Sequence, residues 1–469
     1  MRAIILNEWK TLFRARTFLY LTVFFVAALI TVSWISVEQN RSQRKQQFTA
    51  HKHVRGQWES IDAMNTHSAA HYGSYIFKPI TLLSSIDEGI NSATGNVLRL
   101  EGHAQNEMAY SEASQSLTIS KFGKLNPALL LQYVVPLLLI FLSFTTVSSE
   151  RESTRLKLLV LQGSTIRQII LGKAFSIWLY SVFLLLITVG SQVAVDFKQI
   201  DLDTSLRMCM LLLSYSMYYY IITLASTWFS ARLKSNVASL SLMLSIWVLW
   251  TIFLPKIWGS TVDQIYPLPS RQEFKNVMQE DRSKGLDGHN PADKRAEAFK
   301  QEVLARYKVN TLEELPINYD GLRMQADEEY GNSVWEKHFG QNFKILQQQK
   351  TAYQVSGFFN PFASLNGASM GFCGSDMQHH LSFLRQAEDY RRYLIKTLNE
   401  KQAYGGSKTG DWSWTEDSEF YKSVKDFEYN MPVLRTMLSF YILDLLILVL
   451  WGGMITFLIM FQAKKIDII

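Results

Sequence analysis

The histidines have the clearest potential for chemistry, because their spacing in several places matches that of metal ligands. His67 and His71 are four residues apart and would share one face of a helix, and His103 stands four residues before Glu107. A further group joins an aspartate to two adjacent histidines: Asp376, His379 and His380. Zinc and copper sites use such groups but need three or four convergent ligands. No single spacing supplies that number, so we expect no metal site and interpret these histidines as ordinary surface or core residues.

The phosphate-binding-loop pattern Gly-x-x-x-x-Gly-Lys-Ser/Thr is absent from the sequence. Gly172-Lys173 is followed by Ala174, and Arg167 occupies the position of the first glycine. We therefore expect a chain that is not an enzyme, with no catalytic residues and no cofactor of its own.

A charged segment at 149–173 lies between two long apolar runs. It begins with Glu150, Arg151 and Glu152, and two glycines, Gly163 and Gly172, interrupt its apolar residues. The helical spacing of those apolar residues predicts a short amphipathic helix between two membrane spans. On periodicity alone the helix either docks on a soluble partner or lies on lipid. Its predicted docking face consists of Leu156, Leu158, Leu159, Ile166 and Ile169.

The remaining composition is that of a membrane protein. The 469 residues carry a formal charge of +6. Because the sequence has no dense run of lysine and arginine with interleaved aromatic residues, we expect no nucleic-acid partner. Six apolar runs exceed the roughly 18 residues that indicate a membrane-spanning helix. The predicted spans are 17–37, 127–148, 174–195, 206–229, 237–257 and 433–461.

Basic residues precede the first span and mark the short loops of one side, so the positive-inside rule predicts that both termini are cytoplasmic. Residues 1–16 form a basic amphipathic helix that lies in the lipid interface. The polar stretches 38–126 and 258–432 are then extracytoplasmic, and the second contains helix-like segments at 292–308 and 376–401. The predicted fold class is an all-α membrane protein with six transmembrane helices, an N-terminal interfacial helix and two mainly helical extracytoplasmic insertions.

Two single-residue questions stay open. Asp444 lies inside the last predicted span, where an ionisable group suggests a function. It either lines a translocation path or pairs across a subunit interface, or it lies near the outer end of the span and meets water. Whether Cys209 and Cys373 pair is also open, and we interpret them as free thiols.

The charged segment resembles the loop between the second and third spans of ABC type-2 permeases. That family reads Glu-Arg-Glu, then Gly-Thr-Leu, two leucines and a closing Gly-Lys, and Thr154-Arg155 stand here where the family has Gly-Thr. The two insertions are similar to those of a bacterial subfamily with large extracytoplasmic segments of unknown function. The residues that carry this second likeness are Ala69–Gly73, Leu100–Glu107, Gly285–Pro291, Asn360-Pro361 with His379, His380 and Phe383, and Phe427–Pro432.

The resemblance covers essentially the whole chain. It implies a permease of the bacterial inner membrane that pairs with a second, identical or different, permease and with a cytoplasmic ABC ATPase dimer that binds ATP and Mg²⁺. We expect it to export a substrate or handle one at the periplasmic side. One alternative is an ABC-type mechanotransducer that acts on envelope proteins or delivers a metal, and another is a receptor without an ATPase. The residues that the resemblance assigns to ATPase coupling are Glu150, Arg151, Glu152, Leu156, Leu158, Leu159, Gly163, Gly172 and Lys173.

Overall fold

The six predicted spans are helices in the structure. A computed structural model describes residues 1–109, 125–197, 200–286 and 293–463. Within them, six helices are long and apolar enough to cross a membrane, which confirms the predicted all-α membrane class. The spans are Arg16–Glu59, Pro127–Glu152, Ile166–Val195, Leu202–Arg232, Asn236–Ile265 and Ile442–Gln462. Residues 287–291 of the Gly285–Pro291 motif and the C-terminal tail from residue 464 lie outside the described residues.

The helices and strands of the described residues are numbered in chain order. The helices are α1 (Arg2–Arg14), α2 (Arg16–Glu59), α3 (Thr66–Tyr72), α4 (Asn91–Thr94), α5 (Pro127–Leu129), α6 (Val135–Ser143), α7 (Ser148–Glu152), α8 (Arg155–Leu161), α9 (Ile166–Asp196), α10 (Leu202–Arg232), α11 (Asn236–Val248), α12 (Leu254–Ile265), α13 (Arg271–Ser283), α14 (Lys294–Tyr307), α15 (Tyr319–Val355), α16 (Pro361–Cys373), α17 (Met377–Tyr404), α18 (Ser418–Ser423), α19 (Leu434–Met437) and α20 (Ile442–Gln462). The strands are β1 (Ala63–Met64), β2 (Ser74–Phe77), β3 (Val97–Glu101), β4 (Ala104–Gln105) and β5 (Glu416–Asp417).

The first span is part of a much longer helix. α1 ends where Ala15 takes an extended conformation, and α2 then runs for 44 residues without a break. The apolar first half of α2 is the predicted span, and its polar second half continues into the insertions. There the indole nitrogen of Trp58 donates a hydrogen bond to the carbonyl of Tyr421 over 2.9 Å. The first span is therefore continuous with the extramembrane region.

The second and fifth spans each contain a π-helical turn directly before a proline. The turn Leu130–Val134 leads into α6, whose second residue is Pro136, and the turn Leu249–Phe253 leads into α12, whose second residue is Pro255. Proline has no N–H to donate, so one carbonyl of the preceding turn loses its backbone donor. A π turn absorbs such an interruption without ending the helix.

In both π turns a side chain supplies the missing donor. In π-helical register the proline N–H would face the carbonyl five residues earlier. At Pro136 that carbonyl belongs to Leu131, and it accepts a hydrogen bond of 2.8 Å from the hydroxyl of Tyr219. At Pro255 the corresponding carbonyl belongs to Trp250, and Asn360 donates its amide to it over 2.8 Å. These contacts fasten both distorted spans to neighbouring helices.

A short helix from the second insertion packs inside the bundle of spans. Asn360 caps the start of α16, and Gly374 ends it with a φ of 70°. α16 packs between α10 and α20, and Phe362 and Phe372 on it are fully buried. The prediction of one extracytoplasmic domain at 258–432 therefore differs from the structure here. With 13 residues, α16 is too short to give the signal of a span.

The rest of the two insertions folds together at one end of the bundle. β1 from the first insertion pairs antiparallel with β5 from the second. The antiparallel sheet β2–β3–β4 packs on α17, where Ile76 and Leu98 share a core with Phe383. The predicted helical stretches 292–308 and 376–401 correspond to α14 and α17. The small sheets were not predicted, because their strands have only two to five residues.

Candidate functional site

The charged segment consists of two short helices followed by the start of the third span. α7 and α8 are joined at Ser153 and Thr154, and α9 begins at Ile166 rather than at the predicted residue 174. Thr165 and Gln168 form a capping box at the start of α9, in which each side chain bonds the backbone N–H of the other residue. The start of the third span is therefore fixed by its own polar side chains.

The end of α8 is a Schellman motif. The N–H of Ser164 donates to the carbonyl of Leu159 over 3.1 Å, and the N–H of Gly163 donates to that of Val160 over 3.0 Å. Gly163 has a φ of 92°, which a residue with a Cβ adopts only with strain. Gly163 therefore ends the helix.

The start of the segment is anchored to the turn between the fourth and fifth spans. Arg151 donates to the carbonyl of Leu233 over 3.1 Å and also to that of Ala231. Asn236 donates its amide to the carboxylate of Glu152 over 2.9 Å. Arg151 and Glu152 thus hold α7 on the bundle.

A buried ion triad ties the segment to α1. The ammonium of Lys173 lies 2.5 Å from the carboxylate of Glu8 and 2.9 Å from that of Glu150, and the Lys173 side chain is only 3% exposed. Gly172 lies inside α9 rather than breaking it, and a Cβ there would come within 3.1 Å of Ile4. The glycine therefore allows α1 to pack closely on α9. Glu8 was missed from the sequence because it lies 165 positions from Lys173.

The exposed face of α8 differs from the predicted docking face. Leu156 and Ile169 are fully buried in the core of the bundle, and Leu159 packs against its edge. Leu156 and Ile169 therefore cannot contact a partner in this position, whereas Leu159 stays partly exposed. The exposed apolar residues are Leu158 at 56% and Leu161 at 74%. Because α8 has only two turns, burial of Leu156 turns these two leucines outward.

Thr154 occupies a position where ABC type-2 permeases, which the segment resembles, have glycine. It adopts a backbone conformation that favours glycine. Its φ is 59° and its ψ is 1°, in the left-handed region. Its hydroxyl donates to the carbonyl of Ser153 over 2.7 Å. The tight turn between α7 and α8 is therefore formed without glycine, at a cost in strain.

Asp444 lies in the first turn of α20 and is 1% exposed. The amide of Gln354, at the end of α15, donates to its carboxylate over 2.6 Å. A carboxylate in the first turn of a helix also interacts favourably with the helix dipole. Asp444 therefore lies near the insertion end of its span, which is the position that the third alternative gave it. Its carboxylate contacts α15 instead of water.

Asp376, His379 and His380 form structural links rather than one ligand set. The Nδ1 of His379 lies 2.6 Å from Asp376, and its Nε2 lies 3.3 Å from the guanidinium of Arg207. Burial raises the pKa of Asp376, but the hydrogen bond and charge of His379, together with Lys350 and Tyr441, outweigh burial and lower the pKa to about 2. Burial and the neighbouring Lys78 lower the pKa of His380 to about 3, so its ring is neutral. Both nitrogens of His379 are engaged by protein groups.

His67 and His71 come together with a third histidine. Their Nε2 atoms are 3.1 Å apart, and one nitrogen of His103 lies within 4.8 Å of a nitrogen of each. The Nδ1 of His103 is 3.2 Å from Asp327 and 3.0 Å from Glu328. Burial lowers the pKa of His103, but the hydrogen bonds to these two carboxylates raise it to about 9. The three rings form a histidine cluster at the junction of the two insertions.

The partner that spacing suggested for His103 is elsewhere. Glu107 lies 2.6 Å from Arg271 and 3.6 Å from Lys275. No local spacing in the sequence links His103 to His67 and His71, because a hairpin turn brings it to them.

The chain contains one Gly-x-Ser-x-Gly pattern, Gly367–Gly371, which is the pattern of a serine-hydrolase nucleophile. The structure places it in the middle of α16, whereas that nucleophile requires a sharp strand-to-helix turn. The hydroxyl of Ser369 is buried and donates to the carboxylate of Asp87 over 2.5 Å. The motif is a packing feature. Cys209 on α10 and Cys373 on α16 are both free thiols.

Six apolar helices, with a short helical segment fixed at one end and two insertions at the other, define a multi-pass membrane protein. A family model described as ABC-2 family transporter protein matches residues 2–299. A second, described as a domain of unknown function (DUF3526), matches residues 271–430. Because the first match covers more than half of the chain, the protein belongs to the ABC-2 transporter family and is a membrane subunit of an ABC transporter. No curated protein and no solved structure matches the chain.

Proposed function

We propose that the protein is the permease subunit that a cytoplasmic ABC ATPase dimer drives through the segment α7–α8, with export or handling of a substrate at the periplasmic side. The observation that carries the proposal is the exposed apolar face of α8, formed by Leu158 and Leu161. Arg155 and Lys157 are exposed beside them. Two exposed leucines flanked by cations suit the groove of a soluble partner. ATP and Mg²⁺ would be bound by that ATPase.

The distribution of charge supports a cytoplasmic position for α8. The positive-inside rule assigns the end of the bundle that is rich in lysine and arginine to the cytoplasm. The opposite end carries Asp201 and Asp203 at the start of α10, and both insertions. This assignment makes the insertions periplasmic and the N-terminus cytoplasmic in a bacterial inner membrane. The basic residues at the α8 end are Arg2, Lys10, Arg14, Arg16, Arg151, Arg155, Lys157, Arg167, Lys173, Arg232 and Lys234.

Buried contacts of the segment supply a route from α8 to the spans. Lys173 joins it to α1 and α9, and Arg151 joins it to the turn after α10. Buried ion pairs and packed helices shift between discrete arrangements rather than deforming gradually. We therefore expect α8 to move with α1 and with the third and fourth spans when the ATPase dimer closes.

The test is co-purification of the ATPase with a variant in which Leu158 and Leu161 are both replaced by aspartate. Loss of two apolar anchors should weaken the complex by at least about tenfold. The matched control is Leu202→Asp, because Leu202 is 77% exposed at the opposite end of the bundle. Equal recovery of the ATPase with the double variant and with the control would overturn the docking proposal.

A second candidate function, mechanotransduction without classical transport, is favoured by the continuity of α2. The helix passes from the lipid interface into the insertions without a break, and Trp58 at its far end bonds the second insertion. In that role, ATP hydrolysis would move the insertions against an envelope partner.

The two candidates differ in what stimulates the reconstituted complex. Mechanotransduction predicts that ATPase activity in proteoliposomes rises when a periplasmic extract is added outside, with no substrate entering or leaving. Transport predicts ATP-dependent movement of a solute or lipid across the bilayer. Native mass spectrometry of the same complex would show whether the second permease is an identical or a different chain.

A further inference from the structure

The histidine cluster His67, His71 and His103 lies in the extramembrane region, outside the proposed coupling segment. His67 and His71 are one turn apart on α3, so their rings extend from the same face. Asn65 caps this helix by accepting the N–H of His67 over 2.9 Å. The ring centroids of the three histidines are 4.6, 5.3 and 5.7 Å apart in pairs. Two separate elements thus direct three imidazoles to one point.

His103 occupies an unusual backbone position. It is the second residue of the two-residue turn between β3 and β4 and has a φ of 61°, where such turns ordinarily have glycine or asparagine. The turn is docked on α3, because Gly102 donates its N–H to the carbonyl of Ala70 over 2.9 Å. Strain of this kind is often retained at functional sites, where it directs a side chain.

Two carboxylates orient the ring of His103. Its Nδ1 faces Asp327 and Glu328 of α15, and Glu328 also accepts its backbone N–H over 2.5 Å. These acids are fixed in turn by Arg282 at 2.9 Å and Arg391 at 2.9 Å. Histidines that bind metals ordinarily donate their second ring nitrogen to a carboxylate in this way.

We propose that His67, His71 and His103 bind one divalent transition metal ion of the class that prefers imidazole ligands, with Asp327 and Glu328 orienting His103 through its Nδ1. Imidazole ligands select zinc and copper over magnesium and calcium, and binding of the ion releases the proton carried by the metal-binding nitrogen of His103. Among the three histidines, His71 is exposed and His67 and His103 are partly buried.

The distances suit such an ion. Tetrahedral bonds of about 2.0 Å place ligand nitrogens roughly 3.3 Å apart. The 3.1 Å between His67 and His71 already meets this spacing. The third nitrogen lies within 4.8 Å of the other two, so a closure of at most about 1.5 Å, by rotation of an imidazole about χ2, completes the set.

Occupancy of this site would join α3 and the β3–β4 turn to α15. The same helix ends at the membrane bundle, where Gln354 bonds Asp444. A metal at one end of α15 is therefore mechanically connected to the sixth span at the other. This inference does not depend on docking of an ATPase.

The test is metal binding to the full chain, purified in detergent with an affinity tag that contains no histidine. Zn²⁺ and Cu²⁺ are titrated in separate arms against a chromophoric chelator, and Co²⁺ absorption reports the ligand geometry. We expect one ion per chain, with Mg²⁺ and Ca²⁺ unable to compete. His71→Ala should weaken binding by more than about a hundredfold, since it removes a ligand.

Two further variants separate binding from folding. His103→Gly keeps the backbone N–H to Glu328 and suits the positive φ, so it should fold normally and still lose the metal. His53→Ala, at an exposed histidine of α2, is the matched control and should bind like the wild type. Absence of saturable binding in the wild type, or equal affinity of His71→Ala and His53→Ala, would show that the His67–His71 contact is only a hydrogen bond between rings.

Discussion

Asn360 donates its side-chain amide to the carbonyl of Trp250, the carbonyl that Pro255 leaves without a backbone donor in the fifth span. The same side chain caps α16 by accepting the N–H of Phe362 over 3.1 Å. One residue therefore satisfies two backbone groups on different helices. Tyr219 has the first of these roles in the second span, towards Leu131.

Replacement of Asn360 should reveal both roles. Asn360→Ala loses the cap and leaves a buried carbonyl unpaired, with an expected cost of about 2–4 kcal/mol in the free energy of unfolding. Asn360→Ser keeps a capping oxygen but is too short to reach Trp250, so its cost should be smaller. Thermal unfolding in detergent measures the difference. Wild-type stability of Asn360→Ser would mean that the contact with Trp250 contributes nothing.

The triad of Lys173, Glu8 and Glu150 should be sensitive to loss of its cation. Lys173→Met leaves two buried carboxylates close together, which should destabilise the protein by about 3–5 kcal/mol. The double variant Lys173→Met with Glu8→Gln should recover part of the loss. Lys157→Met, at an exposed lysine of α8, is the control in the same thermal measurement. A similar effect of the two single lysine variants would contradict the buried role of Lys173.

Thr154→Gly should stabilise the turn between α7 and α8. Relief of the left-handed conformation contributes about 1–2 kcal/mol, and the greater freedom of glycine in the unfolded chain offsets about 0.5–1 kcal/mol of it. The net gain is therefore small and positive. Thr154→Ala keeps a Cβ and should give no gain, so a rise in the unfolding temperature for alanine as well would assign the effect to another cause.

Stability should depend on pH through Asp376. Its pKa is lowered from 3.8 to about 2 in the folded protein, so the folded state favours the carboxylate. The resulting stabilisation is present above pH 3.8 and is lost as the pH falls towards 2. The groups facing the carboxylate are His379, Tyr441 and Lys350.

Asp376→Asn tests this dependence because asparagine still caps α17. Unfolding temperatures of the wild type and the variant should approach each other as the pH is lowered from about 4 to about 2. Parallel curves over that interval would exclude Asp376 as the source of the pH dependence.

Gln354 should matter because Asp444 is buried. Gln354→Leu removes the donor at 2.6 Å and should cost about 1–3 kcal/mol, since a buried acceptor loses its partner. The double variant Gln354→Leu with Asp444→Leu removes both polar groups and should be more stable than Gln354→Leu alone. Additive losses in thermal unfolding would show that the two side chains do not interact.

The spans were predictable because each is a continuous apolar run, and that signal needs no knowledge of tertiary contacts. α16 was not, since 13 residues fit a buried helix as well as a loop. The sequence treated Gly163 and Gly172 alike as interruptions of the segment, whereas in the structure Gly163 follows the end of α8 and Gly172 lies inside α9 against Ile4. Sequence shows that a glycine is present but not what approaches it.

The candidate sites show the same division. Periodicity placed Leu156 and Leu158 on the same predicted docking face. It could not show that Leu156 is buried and Leu158 exposed, because the face that a two-turn helix buries depends on its neighbours. Spacing paired His67 with His71 and could not add His103, which reaches them through a hairpin turn. Contacts within one helix turn are visible in the sequence, and contacts across elements are not.

The 44 residues of α2 form a rod of about 66 Å, since an α-helix rises about 1.5 Å per residue. A rod of that length converts angle into distance: a change in tilt of about 5° at its base displaces its far end by about 6 Å. A small rotation of α2 within the bilayer, too slight to open a wide passage, would thus displace its far end, in the insertions, by about the width of a side chain. The length of α2 therefore amplifies motion of its membrane-embedded half into a larger displacement of the insertions.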